Sequence, residues 1–400
     1  MASGLNSAPS ANRLHIGLFG KRNSGKSSLM NAMVGQEVSI VSDVAGTTTD
    51  AVQKAIEISP LGPCVFMDTA GFDDEGELGK SRVEKTKLSA DKTDVALILV
   101  TDCNIEQELQ WFFYFKEQNI PVIVMIHKKD MLEEEEASKL IRLIKERTKE
   151  TPLLVSAKTK EGVKEVIQEI ARRLPSEFGI DTITKDLVTK EDVVMLVMPQ
   201  DIQAPKGRLI LPQVQTIREL LDKKCVVVSV VTDQLEGALS LLNRPPKLII
   251  TDSQVFSYVY ERKPKESKLT SFSVLFAGYK GDLSYYKESV KRVEALTKDS
   301  RVLIAECCTH APLEEDIGRV KLPRLLKQRI GEELSVQVVS GTDFPKDLTE
   351  YDLIIQCGGC MFNRRYVMSR IEEAKRQGVP MTNYGIIIAY LKGILEEIET

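Results

Sequence analysis

The chain is 400 residues long, 42% hydrophobic and 28% charged, a composition that buries cores and excludes wholesale disorder. At roughly 100–200 residues per domain it should form two or three domains. A formal net charge of −4 argues against broad electrostatic binding to nucleic acid. No apolar run approaches the roughly 18 residues that cross a bilayer, so no membrane partner is expected and a cytoplasmic location is.

Residues 1–12 are rich in Ser, Ala and Asn and read as a floppy tail. A first domain over 13–175 alternates buried parallel strands at 14–19, 65–67, 95–100, 122–126 and 153–155 with amphipathic helices such as 106–117 and 137–147. That is a doubly wound α/β pattern with a mostly parallel sheet. The polar stretch 176–192 reads as a linker. A second α/β domain over 186–262 has strands at 193–197, 226–231 and 248–250 and helices at 214–221 and 234–242. It is small and apolar, so it is assigned a dimer interface. A second linker at 262–267 leads to a third α/β domain over 268–400, with strands at 272–276, 302–304, 336–339 and 353–355 and helices at 285–296 and 366–376.

Five short motifs follow one another in the first domain. Gly20-Lys21-Arg22-Asn23-Ser24-Gly25-Lys26-Ser27, followed by Ser28, fits the phosphate-binding loop between a strand and a helix. Its backbone N–H groups can curl around phosphates, Lys26 can reach the β- and γ-phosphates, and Ser27 can ligate Mg²⁺. Asp68-Thr69-Ala70-Gly71 ends the next buried strand: Asp68 would hold Mg²⁺ through water and the Gly71 amide would sense the γ-phosphate. In Gly46-Thr47-Thr48-Thr49-Asp50 a threonine can complete the Mg²⁺ shell; Thr48 is the first choice and Thr47 the second. His127-Lys128-Lys129-Asp130 follows a strand. Asp130 can accept from both guanine N–H groups, Lys128 would lie along the base, and His127 stands where asparagine is usual, with an imidazole N–H to offer the guanine. Ser156-Ala157-Lys158 supplies the fifth element, its Ala157 amide facing O6. The ligand expected is GTP.

Over roughly 13–174 the chain resembles the TrmE/Era class of GTPases. The resemblance implies a hydrophobic residue, Phe72, in place of a catalytic glutamine, and slow hydrolysis. It also implies K⁺ ligation by Asn23, which would place the cation where an arginine finger acts. Lys26, Asn23 and Thr48 are the expected catalytic group.

Seven cysteines, an odd number, in a long chain without a secretory signal favour metal or redox chemistry over disulfides. Cys307-Cys308-Thr309-His310 and Cys357-Gly358-Gly359-Cys360 both follow predicted strands, where open α/β sheets place ligands. Thiolates from Cys308, Cys357 and Cys360 suit an iron–sulfur cluster with one exchangeable corner, or zinc. Cys64, Cys103 and Cys225 read as ordinary buried residues, and Cys307 as pointing away from the site.

The GTPase motifs joined to this cysteine pattern resemble HydF, the maturation family of FeFe-hydrogenases, along the whole chain. The family pattern is C-x-H followed by H-C-x-x-C; here 45 residues separate His310 from Gln356, and Gln356 replaces the second histidine. The resemblance implies GTPase, dimerisation and cluster-binding domains, and a 4Fe–4S cluster on Cys308, Cys357 and Cys360. It further implies a homodimer or higher homo-oligomer that receives a diiron precursor made with the radical SAM maturases HydE and HydG and passes it to apo FeFe-hydrogenase. The fourth ligand stays open among His310, Glu306, Glu314 and solvent. Two other readings compete: a ribosome- or tRNA-associated GTPase with a zinc-bound C-terminal domain, and a redox switch using Cys357 and Cys360 as a dithiol.

Overall fold

The structure is a computed structural model that describes residues 10–34, 40–44, 52–58, 61–69, 86–174, 182–199, 209–307 and 316–400. The chain divides into two compact units, Met1–Phe178 and Gly179–Thr400.

Apolar, β-branched runs make the centre of the first unit. β1 (Leu14–Gly20), β5 (Val95–Val100) and β6 (Val122–His127) are buried along their whole length, as strands covered on both faces must be. Among the described residues they join a seven-stranded sheet in the order β2-β3-β4-β1-β5-β6-β7, with β2 Ile40–Val44, β3 Val52–Ile58, β4 Gly62–Asp68 and β7 Leu153–Val155. β1 pairs in parallel with both β4 and β5, while β2–β3 and β3–β4 are antiparallel. Those first two strands are absent from the sequence reading. β3 alternates buried Ile56 and Ile58 with exposed Glu57, so it carries no continuous apolar run. Helices α1 (Lys26–Val34), α2 (Glu106–Glu117), α3 (Glu134–Thr148) and α4 (Val163–Arg173) complete the layers. The acidic run that opens α3 forms a capping box between Glu133 and Glu136, as its place at a helix start demands.

In the second unit two parallel four-stranded sheets follow in sequence. The first orders β11-β10-β8-β9, from β8 (Val193–Val197), β9 (Val226–Val230), β10 (Leu248–Thr251) and β11 (Lys268–Ser271). Helices α5 (Leu211–Asp222), α6 (Leu235–Ser240) and α7 (Phe256–Arg262) connect these strands. Helices α8 (Phe272–Lys280) and α9 (Leu283–Ser289) then lead to the second sheet. It orders β13-β12-β14-β15, from β12 (Arg301–Glu306), β13 (Ser335–Ser340), β14 (Leu353–Gln356) and β15 (Met381–Asn383). Helices α10 (Leu322–Ile330), α11 (Arg364–Arg376) and α12 (Tyr384–Leu391) belong to this half.

Two expectations change here. Residues 272–276 are helix, not strand: the Ser271 hydroxyl caps α8 by accepting from the Val274 N–H, and Phe272, Val274, Leu275, Phe276 and Ala277 are all buried. A helix buried nearly all round has the same unbroken apolar look as a core strand. The second linker is also no domain boundary. β11, beyond it, pairs with β10, and Met195, Val197, Ile249 and Leu269 share one hydrophobic core with Val302, Leu303, Ile304 and Ile354. Gly385 of α12 makes that packing close, since a Cβ there would fall 2.8 Å from the Val274 backbone nitrogen of α8.

Candidate functional site

The C-terminal end of β1 turns into α1 through a loop with Asn23 and Gly25 at positive φ, 60° and 94°. Such reversals build the backbone nests that bind anions. Lys26 is buried and its ammonium donates to the carbonyls of Gly20 and Lys21, both at 2.8 Å, which curls the loop around its own cation. Ser27 and Ser28 are exposed at the head of α1, and the Ser27 hydroxyl donates to the Asp68 carboxylate from the end of β4. A hydroxyl and a carboxylate meeting beside a buried ammonium fit a Mg²⁺-bound phosphate chain.

The base-reading residues arrive from β6 and β7. Asp130 Oδ1 accepts from the Ser156 hydroxyl at 2.6 Å, and Ser156 in turn accepts from the Thr159 N–H at 3.2 Å. The Ser156 hydrogen bond holds the Asp130 carboxyl below its ordinary pKa, helped by the charge of Lys158, so it stays an acceptor-only carboxylate. Lys128, at a positive φ of 61°, donates from Nζ to the Asn23 carbonyl at 2.7 Å. Ala157 is half-buried and Lys158 exposed beside them.

His127 does something other than its expected task. Its ring is buried, and Nδ1 donates to the Ser24 carbonyl at 2.9 Å. Burial lowers its pKa, so the ring is neutral and that N–H is its one donor. The imidazole therefore ties β6 to the phosphate loop and has no proton left for guanine. Gly25 has to be glycine for the same reason: a Cβ would stand 2.5 Å from the His127 ring. Thr47, Thr48, Gly71 and Phe72 lie outside the described residues, so the expected Mg²⁺ threonine and switch contacts have no geometry here.

In the second unit the ends of adjacent strands β12 and β14 bring the cysteines together. The Cys357 N–H continues the ladder to the Ala305 carbonyl at 3.0 Å, but the next N–H, that of Cys307, donates to Cys357 Sγ at 3.1 Å. Cys307 is buried and its thiol hydrogen-bonds that same sulfur, pushing the Cys307 pKa up and the Cys357 pKa down. Of the two, Cys357 is the sulfur whose ionisation the contact favours. The expectation that Cys307 points away is wrong, because the chain leaves the extended conformation just after β12. Cys103, expected buried, is exposed.

Beneath this turn lies a residue the sequence reading missed. Lys280, the last of α8, is 2% exposed and donates from Nζ to the carbonyls of Gly359 at 3.0 Å, Cys360 at 3.4 Å and Phe362 at 2.7 Å. Burial lowers its pKa to about 8, against the opposing pull of Cys360, Cys307 and Cys357. A single lysine directly after the largely apolar run 272–279 was the signal available. Gly359 takes the positive φ, 65°, that closes the turn.

Glu306, offered as a fourth ligand, is buried and committed. It accepts from Arg319 Nε at 3.1 Å, the Ser340 hydroxyl at 3.3 Å and the Tyr384 hydroxyl at 3.4 Å. Gln356 is fully buried, with both amide atoms lacking a protein partner. Cys308, His310 and Glu314 lie outside the described residues. Among the described residues no three His, Cys, Asp or Glu side chains are gathered around a metal position. The described donors still fit a thiolate-bound group: a sulfur that accepts a backbone N–H, a second cysteine three residues on, a buried cation and an orphaned amide.

Comparison with known sequences decides what kind of chain this is. A hydrogen maturase F dimerization domain matches residues 183–281 and a hydrogen maturase F tetramerization domain matches 284–398. A domain described as a 50S ribosome-binding GTPase matches 15–128. The chain belongs to the hydrogen maturase F family. The dimerization match spans the first sheet of the second unit with α8, and the tetramerization match spans the second sheet with both described cysteine-bearing strand ends.

Curated relatives match its GTPase half. GTPase Der of Wolinella succinogenes is 34% identical over 195 residues, 45% of this chain and 41% of that protein. The tRNA modification GTPase MnmE of Leptospira biflexa is 33% identical over 177 residues, 44% of this chain and 37% of that protein. The chain therefore spans less than half the length of each. A solved structure of Aquifex aeolicus Era superposes with a TM-score of 0.35 at 20% identity, covering 63% of this chain and 98% of that one, too loosely for a functional conclusion.

Proposed function

We propose that this maturase is a slow GTPase that binds a 4Fe–4S cluster and serves as scaffold or carrier for the diiron precursor of FeFe-hydrogenase. The observation that carries this reading is the pairing, in one chain, of a nucleotide loop with a thiolate turn. The loop is wound on the buried Lys26, with the Asp130 carboxylate ready for guanine. The turn is wound on the buried Lys280, with Cys357 accepting from the Cys307 N–H.

Lys26 would hold the phosphates of GTP, Ser27 and Asp68 would hold Mg²⁺, and Thr48 would complete that shell. The metal would supply charge neutralisation on the β- and γ-phosphate oxygens. Asp130 would select guanine by accepting two N–H donors that adenine does not present together. Cys308, Cys357 and Cys360 would hold the cluster, leaving one position for exchange with cargo. Radical SAM maturases HydE and HydG and the apo-hydrogenase are the proposed partners. The site of self-association is proposed on the first sheet of the second unit, where edge strand β9 and helix α5 leave Val226, Leu221 and Val214 between 40% and 53% exposed.

The decisive experiment is anaerobic reconstitution with iron and sulfide, followed by iron and sulfide analysis and EPR of the dithionite-reduced protein. A reduced-cluster signal with near-stoichiometric iron supports the reading. Zinc retained in place of iron, or a reversible disulfide without iron, overturns it.

Asn23 carries a separate expectation. It is exposed on the loop, and as a K⁺ ligand it would place a cation where charge develops between the β- and γ-phosphates. GTP turnover is expected to rise at least about tenfold when KCl replaces NaCl at equal ionic strength, the scale of about 1.4 kcal/mol of added electrostatic stabilisation. Asn23→Ala should abolish the difference. Equal rates in the two salts would remove K⁺ from the mechanism.

A further inference from the structure

We propose that Lys280 is a positioning residue for the cysteine turn: its ammonium sets the path of residues 357–362 and offsets the negative charge of whatever the thiolates bind. This rests on the cluster-binding reading above. Three carbonyls of one short turn, those of Gly359, Cys360 and Phe362, converge on a single nitrogen. A surface turn is normally satisfied by water; this one is satisfied by a charged side chain that is itself buried at 2% exposure.

Core lysines are rare because an ammonium removed from water is costly unless it is fully hydrogen-bonded or faces negative charge. Lys280 has both forms of compensation. Its three donors are used on the carbonyls, and the sulfurs of the cysteine turn lie near it, so any negative charge they take on falls beside it. Phe276, one turn earlier on α8, places its ring 5.8 Å from the ammonium, which lengthens the apolar walls around it. In such low-dielectric surroundings a fixed positive charge favours the more negative of two states. For an iron–sulfur cluster the more negative state is the reduced one, so net charge and hydrogen bonding near the sulfurs raise the reduction potential.

The test compares the full chain with Lys280→Met, which keeps an unbranched stem and loses charge and donors, and Lys280→Gln, which keeps an N–H donor on a shorter stem and loses charge. Each is reconstituted anaerobically with iron and sulfide and titrated against redox mediators, with the EPR signal of the reduced cluster as the readout. GTP turnover and the circular dichroism melt report folding. Both variants are expected to reach half-reduction at least 59 mV lower than wild type, a tenfold change in the one-electron equilibrium. Lys280→Met should also retain less iron, because it loses the anchor as well as the charge.

Wild-type protein that takes up no iron sinks the underlying reading, and this proposal with it. Wild-type protein that loads, beside variants with the same potential and iron content, sinks the Lys280 proposal alone. Variants that both melt before loading overturn it too, since Lys280 would then be serving the fold and not the turn.

Discussion

Lys26→Ala should lower GTP turnover by about 10²–10³-fold, the loss seen when one preorganised charge or donor aimed at a reacting centre is removed. The side chain is 7% exposed, and its two carbonyl contacts hold the ammonium at the centre of the loop before any phosphate arrives. A charge held in place within a partly dry site needs little reorganisation when GTP binds, and its attraction to phosphate is far less screened than on a surface. Alanine removes the cation and leaves the Gly20 and Lys21 carbonyls facing the phosphates with no positive charge between them. Steady-state phosphate release, with nucleotide affinity from a fluorescent GTP analogue, checks the result. Turnover within a factor of three of wild type would show that the loop is not a catalytic nucleotide site. The iron content of reconstituted Lys26→Ala should be unchanged.

Cys357→Ser should cost the reconstituted protein most of its iron. Changes to groups that merely support metal ligands reduce affinity about 10–100-fold, and losing a thiolate ligand should cost no less. Cys357 is the sulfur already biased toward the thiolate, because both the N–H and the thiol of Cys307 donate to it. Serine cannot reproduce that, since its hydroxyl is not ionised near neutrality. Cys307→Ser keeps the backbone N–H and should retain most of the iron, which separates a ligand from its supporting donor. Iron analysis and the EPR amplitude after reconstitution read both variants. Full iron in Cys357→Ser would rule that sulfur out as a ligand.

Much of the first unit was legible in the sequence because its central strands are buried on both faces and read as unbroken apolar runs. β5 spans 95–100, α2 spans 106–117 and β7 spans 153–155, as expected from the pattern alone. The loop residues Lys26 and Ser27 were equally plain, since spacing along the chain is what positions them, and Asp68 was legible as the end of the next buried strand. Contacts across the chain were not. His127 looked like a base donor because sequence shows its neighbours Lys128 and Asp130, and not Ser24, 103 positions away, whose carbonyl takes its proton. Cys307 looked idle because an ideal strand would turn it away, and its hydrogen bond to Cys357 depends on where β12 ends. Lys280 was hidden because a helix end reading as a strand gave its charge no destination.

The core shared by the two sheets of the second unit constrains how the chain can be divided. Met195, Val197, Ile249 and Leu269 on one side and Val302, Ile304 and Ile354 on the other are sealed into the same interior. A cut near residue 281 would leave each half with an oily wound and no skin to close it. The segments that match the dimerization and tetramerization models therefore share one interior and are not separable at residue 281.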